Sequence, residues 1–284
     1  MRAEDGGNGV GISRTPSDRP VVDDVLWAKL TAAVAEAAAA TLSAPRTARI
    51  KADHTPVTDA DECSQALLMG ALARLMPGVA IVSEEAVRPS QLGNLFMLID
   101  PLDGTREFVN GSPEYTVNLA IIEDREPAAG IVAVPAAGVI YRGRIGSGAD
   151  RVAMSPGSAA GGTVRRLKVR TTPRDGVVAA VSRSHLDPAT VAVLDRLHIG
   201  NRVPCGSALK FCRIAEGAAD IYPRLAPTRE WDVAAGHAVV VAAGGAVTRP
   251  DGGILPYGDA ANDFRVPAFI AWGDRTGLLS AACK

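Results

Sequence analysis

The residues of this chain that could do chemistry are carboxylates, and the tightest group is Asp100-Pro101-Leu102-Asp103-Gly104-Thr105. Its two acids stand three residues apart at the end of the apolar run Leu95 to Ile99. Pro101 fixes the turn, and Gly104 lets the backbone approach a ligand closely. A helix starting near Thr105 would aim its free amides at whatever sits beside the acids. That combination suits a phosphate bridged by a cation, with the acids on the metal and the amides on phosphate oxygens. The same residues also fit an Asp-Gly turn with Asp capping it, which needs no chemistry.

Three other acidic clusters favour the chemical reading. Ser83-Glu84-Glu85 follows the apolar run Val79 to Val82, so a second acidic cluster ends a neighbouring strand. Two such clusters in one cleft repel unless a cation compensates them. Magnesium takes oxygen ligands and keeps positions for water and phosphate. Thr58-Asp59-Ala60-Asp61 opens a helix with capping-box spacing, which would lock Asp61 where it can accept a proton from a nearby hydroxyl. Glu230-Trp231-Asp232 precedes the last long helix, where the helix dipole favours a carboxylate whatever its function. Each cluster alone has a structural alternative as a solvated pair, a cap or a dipole partner.

Periodicity shows the elements that must position these acids. Leu26, Leu30, Val34 and Ala37 predict a helix over Val22 to Ala44, and a second helix runs from Thr58 to Pro77-Gly78. Strand-length runs follow at Tyr115 to Ile122, Ala129 to Val134 and Gly138 to Arg142, which suggests an antiparallel sheet. Met154 to Thr163 is small, polar and Gly-rich, as a surface loop is. After about residue 172 strands and helices alternate: a strand at Val177 to Ser182 and a helix at Asp187 to His198. A helix at Ser207 to Ala218, a strand at Asp220 to Tyr222 and a helix at Asp232 to Ala243 follow. The expectation is a disordered tail (1–21), an α+β metal-binding half (22–172) and an α/β substrate half (173–284), with the site in the cleft between them.

The 284 residues are 47% hydrophobic with a net charge of −1, so a sizeable core is expected. Balanced charge gives no footprint for a nucleic-acid polymer or an anionic membrane. Runs such as Ala238 to Ala243 are too short to span a bilayer, and the N-terminus has no apolar signal segment. Cys63, Cys205, Cys212 and Cys283 form no CxxC or zinc pattern. They read as reduced, buried small hydrophobes, which suits a cytoplasmic protein.

Taken together, Pro56 to Asp61, Ser83 to Glu85, Asp100 to Thr105 and Trp231-Asp232 resemble the inositol monophosphatase-like superfamily of metal-dependent, lithium-sensitive phosphatases. Within it, the chain looks most like the bacterial 3′(2′),5′-bisphosphate nucleotidases of the CysQ type. The segments Thr105 to Phe108, Ser182 to His185, Gly206 to Cys212, Ala215 to Arg224 and Trp231 to His237 carry that likeness. The resemblance implies the layered αβαβα sugar-phosphatase fold, with a mixed sheet in the second half. It also implies a Mg²⁺-dependent enzyme that removes the 3′-phosphate of adenosine 3′,5′-bisphosphate, the by-product of sulfate activation and sulfotransfer. Glu84, Asp100, Asp103, Asp232 and the Leu102 carbonyl would be metal ligands for two or three ions. Asp61 with Thr105 would activate the attacking water, and the Gly104 and Thr105 amides would take phosphate oxygens. His54-Thr55 departs from the Asp/Asn-Ser of many relatives and leaves the third ion open, as the sequence leaves a homodimer open.

A nucleotide bisphosphate, the small-molecule partner so implied, needs a second basic pocket. Lys210 and Arg213 lie three apart on one predicted helix and can share a face, and Gly206-Ser207 would offer N-terminal amides. The resemblance singles out His185, Ser207, Lys210 and Arg224 for that pocket, whereas His237 reads as a core histidine. An inositol or sugar phosphatase, which needs no such pocket, and a non-catalytic binding protein on the same fold are the rival readings.

Overall fold

The computed structural model describes residues 22–52, 55–86, 88–89, 91–155, 163–184 and 186–282. The expected tail, most of the loop expected at Met154 to Thr163, and the residues His54 and His185 fall outside them. In chain order the elements are α1 (Asp24–Ser43), β1 (Ala48–Ile50), β2 (Pro56–Thr58), α2 (Asp59–Leu75), β3 (Ala80–Ser83), β4 (Leu95–Asp103), α3 (Thr105–Val109), β5 (Thr116–Glu123), β6 (Glu126–Val134), β7 (Val139–Arg144), β8 (Gly148–Ala153) and β9 (Arg165–Leu167). There follow β10 (Val178–Ser182), α4 (Pro188–Arg196), β11 (Asn201–Cys205), α5 (Leu209–Ala215), β12 (Ile221–Arg224), β13 (Thr228–Arg229), α6 (Glu230–Ala242), β14 (Ala246–Thr248), β15 (Arg265–Val266), β16 (Phe269–Trp272) and α7 (Arg275–Ala282).

Strands β3 to β9 form a seven-stranded sheet in sequence order, antiparallel except for the parallel pair β3–β4. Strands β11-β10-β12-β16-β14 form a mixed five-stranded sheet. Side-chain alternation along β4 and β5 sorts the layers. Met97, Ile99, Val117, Leu119 and Ile121 face Leu30, Val34, Leu68 and Leu72 of α1 and α2. Phe96, Leu98, Ala120 and Ile122 join the opposite core, with Phe211 of α5, Val239 of α6, and Tyr222 and Phe269 of the second sheet. The far face of that sheet packs on Val193 and Leu194 of α4 and Leu278 of α7. This is the expected αβαβα layering, and its central core draws on both halves of the chain.

Two sequence expectations change. Helix α1 is long and apolar enough to cross a membrane by length and composition, although the isolated apolar runs are short. Half of its apolar window is buried against α2 and the sheet, so here it is a core helix. Cys63 is exposed on α2, whereas Cys205 and Cys212 are buried as expected.

Helix α6 positions Asp232, and glycines let it sit directly on the sheet. A Cβ on Gly130 would lie 2.3 Å from the Ala235 carbonyl oxygen, and one on Gly143 2.7 Å from the Val239 Cα. Both neighbours are helix backbone and cannot rotate away. Gly130→Val should therefore destabilise the fold by about 3 kcal/mol or more, by overpacking. A thermal melt beside Gly200→Val, at an open site with no neighbour within 4 Å of the added Cβ, checks it; comparable losses would refute the close-packing account.

Candidate active site

A spacing of three puts two residues of a regular strand on opposite faces. Asp100 and Asp103 nevertheless line the same cleft, because β4 bulges between them. Asp100 pairs with Asn118 and Asp103 with Thr116, so three steps on β4 oppose two on β5. The extra residue returns both acids to one side. Pro101 sits inside the bulge, where the ladder can spare an N–H. Since β3 runs parallel to β4, Glu84 just past the end of β3 arrives at the same edge. Asp232, in the first turn of α6, completes the group.

These acids crowd a cleft of about 310 Å³. Burial, reinforced by the charge of Asp232, pushes Glu84 up to about 8 despite the opposing pull of Lys51. Burial and Asp232 likewise raise Asp103 to about 7, although Lys210 and the Ala208 N–H pull it down. Asp100, buried and facing Glu84, is driven well above the usual carboxylate range. The fold ties three of them down through one oxygen each. Asp100 Oδ1 accepts from the Leu102 N–H (3.1 Å), and Asp103 Oδ2 from the Ala208 N–H (2.6 Å). Asp232 Oδ2 accepts from the Thr228 hydroxyl and the Arg229 N–H.

Crowded, mutually repelling carboxylates, with Asp100, Asp103 and Asp232 each anchored through a single oxygen, are a donor set fitted to a hard divalent cation. Among the described residues, no three His, Cys, Asp or Glu side chains are drawn into a ready-made metal cage. Magnesium does not require one, because one or two carboxylates, waters and substrate phosphates complete its shell.

Beside the acids stands a short hydrogen-bond relay. Thr58 donates its N–H (2.8 Å) and hydroxyl (2.6 Å) to Asp61 Oδ2, the expected capping box. That grip leaves Asp61 Oδ1 to the Thr105 hydroxyl at 3.1 Å, nearer than the Leu102 carbonyl at 3.3 Å. Capping and chemistry share one carboxylate, so the two readings of Asp61 do not compete. Gly104, at φ +92°, begins α3 and packs so tightly that a Cβ would fall 2.3 Å from Ser207 Oγ.

The opposite wall comes from the second half. Helix α5 begins at Leu209, later than expected, and Ser207 lies before it with φ +51°. Of the Gly206-Ser207 amides expected to be free, that of Gly206 donates to Glu114 Oε2; the next N–H, of Ala208, donates to Asp103. Lys210 is 3% exposed and donates to the Ser207 (2.7 Å) and Cys205 (3.2 Å) carbonyls. Its third proton remains for the cleft that it lines. Arg213, expected on the same face, pairs instead with Glu216, because one residue of the short helix turns inward and the other outward. Arg224, at the end of β12, lines the cleft. His237 is a core histidine as expected: its Nδ1 meets the Tyr257 hydroxyl at 2.8 Å, and burial lowers it to about 3.

The cleft therefore gathers Glu84, Asp100, Leu102, Asp103, Gly104, Thr105, Ser207, Lys210, Arg224 and Asp232, with Asp61 behind Thr105. Sequence reasoning missed Lys51, whose ammonium lies 2.8 Å from Glu85 and 3.9 Å from Glu84, and Thr228, which holds Asp232. It also missed Glu114, an acid with no periodic or motif signal, which pairs with Arg183, and gave no role to Glu107 of the Thr105 to Phe108 segment, which accepts from the Ser184 hydroxyl.

Comparisons with known proteins bear on the family and the fold. The pattern of the Inositol monophosphatase family matches residues 22–279. A curated relative in Escherichia coli (strain K12), the 3′(2′),5′-bisphosphate nucleotidase CysQ, is 40% identical over 210 residues, 73% of this chain and 81% of that one. A histidinol-phosphatase of Mycobacterium tuberculosis is 34% identical over 217 residues, 74% of this chain and 80% of that one. Among solved structures, CysQ from Bacteroides thetaiotaomicron superposes with a TM-score of 0.73 at 31% identity, covering 88% of this chain and 97% of that one.

The acid cluster fixes a pH dependence. A carboxyl whose folded pKa lies above its unfolded value binds more protons when folded, so stability falls as pH rises between the two values. For Glu84 that window runs from 4.5 to about 8, and for Asp103 from 3.8 to about 7. In chelator the melting temperature should fall from pH 5 to pH 8, and magnesium should raise it more at pH 8 than at pH 5. A magnesium effect equal at both values would contradict the assignment of these acids.

Proposed function

The chain belongs to the inositol monophosphatase family, and on that premise we propose that it is a magnesium-dependent 3′(2′),5′-bisphosphate nucleotidase that converts adenosine 3′,5′-bisphosphate to AMP and phosphate. The observation that carries the choice of substrate is Lys210. Its ammonium is buried at the cleft wall on two carbonyls, with no carboxylate within ion-pair distance among the described residues. A buried cation is costly unless paired, and the bound substrate's second phosphate supplies the partner. Arg224, half-buried and lining the same cleft, adds a guanidinium that matches phosphate oxygens. A sugar monophosphate leaves that wall without a partner.

Glu84, Asp100, Asp103, Asp232 and the Leu102 carbonyl would hold the magnesium, which we set at two ions. When bound, it supplies positive charge that offsets the acids and the phosphate, and it acidifies water. The protein's own part is proton handling and orientation. Thr105 directs its hydroxyl hydrogen to Asp61 Oδ1, so its lone pairs can accept a proton from the attacking water while Asp61 takes the hydroxyl proton. The Gly104 and Thr105 amides at the start of α3 receive phosphate oxygens. Ser207, Lys210 and Arg224 hold the second phosphate, and His185 is assigned to the same pocket. The half spanning 22–172 thus supplies the proton relay and most of the metal ligands, and the half spanning 173–284 supplies Asp232 and the selectivity, in a soluble enzyme of the cytoplasm.

A phosphate-release assay with magnesium should favour adenosine 3′,5′-bisphosphate over inositol 1-phosphate, fructose 1,6-bisphosphate and histidinol phosphate. A preference for any of the other three would overturn the substrate assignment. Asp100→Asn should lower turnover about 100-fold or more, by removing a metal ligand. The same change should raise the melting temperature in chelator, since it removes one of the repelling acids; retained turnover would exclude Asp100 from the site. Lys210→Ala should raise the KM for adenosine 3′,5′-bisphosphate more than that for inositol 1-phosphate, and equal effects would refute the second-phosphate pocket.

A further inference from the structure

Lys210 owes its place to the turn Cys205 to Ala208, because two carbonyls of that turn hold its ammonium. The turn cannot hold itself. Ser207 sits at φ +51°, a region that a residue other than glycine enters only when its surroundings impose it. What imposes it comes from Asp103, whose carbonyl accepts the Ser207 hydroxyl (2.8 Å) and whose carboxylate accepts the Ala208 N–H (2.6 Å), and from residue 114, in the segment between α3 and β5. Glu114 Oε2 accepts the Gly206 N–H (2.9 Å), and its backbone carbonyl lies 2.9 Å from Ser207 Oγ. A Cβ on Gly206 would stand 2.5 Å from that carbonyl, so the two segments are in close contact. The same carboxylate takes a two-pronged bond from Arg183 (both 2.9 Å), and Arg183 also donates to the Pro204 carbonyl at 3.0 Å. Arg183 is 49% exposed, so the ion pair by itself contributes little. Its geometric effect is larger, because it aims Glu114 at the turn from the other side.

We infer that Glu114 is a positioning residue that, with Arg183, sets the Gly206-Ser207 turn and through it the Lys210 ammonium, and so fixes the enzyme's preference for a doubly phosphorylated substrate. This rests on the reading of Lys210 as the ligand of the second phosphate. Glu114 touches no substrate; it acts across the boundary between the halves. Without its carboxylate, the Gly206 N–H loses its acceptor and the Cys205-Gly206 side of the turn is released, while Asp103 still holds the Ser207 hydroxyl and the Ala208 N–H. The Cys205 carbonyl then ceases to hold the ammonium at the cleft wall.

The test compares the full-length magnesium-loaded wild type with Glu114→Ala, Glu114→Gln, Lys210→Ala and the double variant Glu114→Ala/Lys210→Ala, on adenosine 3′,5′-bisphosphate and inositol 1-phosphate. Glu114→Ala should raise the KM for the bisphosphate about tenfold, the equivalent of one lost hydrogen bond, and leave kcat and the monophosphate parameters within about twofold. Glu114→Gln, which keeps an acceptor for the Gly206 N–H, should restore most of the affinity and also shows that the site tolerates substitution. In the Lys210→Ala background the Glu114→Ala change should add almost nothing, since its effect runs through Lys210. Additive effects, equal losses on both substrates, or no gain from glutamine would each overturn the inference. If wild type shows no preference for the bisphosphate, the substrate reading fails and the inference fails with it. If that preference stands while Glu114→Ala leaves KM unchanged, only the inference fails.

Discussion

Four carboxylates crowded into one cleft are the constraint on which the rest of this structure depends. Glu84, Asp100, Asp103 and Asp232 come from three elements, and burial together with mutual repulsion pushes three of them above the ordinary carboxylate range. A fold does not keep such a cluster for stability, since each acid would be better solvated at the surface. It is kept in place by a bulge, a parallel strand pair and a glycine-lined helix seat. Each of these costs regularity, and each points an acid inward. The parsimonious account is a cation that the chain's own charges require, which is the chemistry of the family to which it belongs.

The bulge shows how a short motif acquires meaning. Asp100 and Asp103 would face apart on an unbroken strand, and Pro101, an unfavourable residue for a central strand, sits where the ladder breaks. The Asp-Gly turn and the metal site are therefore one structure. The turn's Leu102 N–H anchors Asp100, and its left-handed Gly104 starts α3. The capping box on α2 has the same double character, since Thr58 immobilises one Asp61 oxygen and so dedicates the other to Thr105.

Much of this was legible in the sequence because it is local. The core strands and long helices follow from periodicity, and the acids follow from motifs within a few residues of one another. The hidden part is long-range. Glu114 and Gly206 are 92 positions apart, and neither belongs to a pattern that spacing could reveal. The start of α5 was misplaced because Ser207 looks like a helix cap, yet distant carbonyls draw its hydroxyl and hold its backbone left-handed. Arg213 looked equivalent to Lys210 because two residues three apart can share a helix face. In the fold Glu216 claims Arg213, and the turn claims Lys210.

That last difference bears on how the cleft separates substrates. An exposed arginine paired to a carboxylate offers an incoming phosphate little, because water and the carboxylate already satisfy it. A buried ammonium held by neutral carbonyls sits in a low-dielectric wall, where an anion is worth more. The same charge pulls down the pKa of Asp103, so the lysine touches both ends of the site electrostatically. On the proposed function it would favour the ionised acid that a metal needs and offer a seat for the second phosphate. One buried cation would thereby link the condition for metal binding to the choice of substrate, and its position rests on the turn that Glu114 and Asp103 hold.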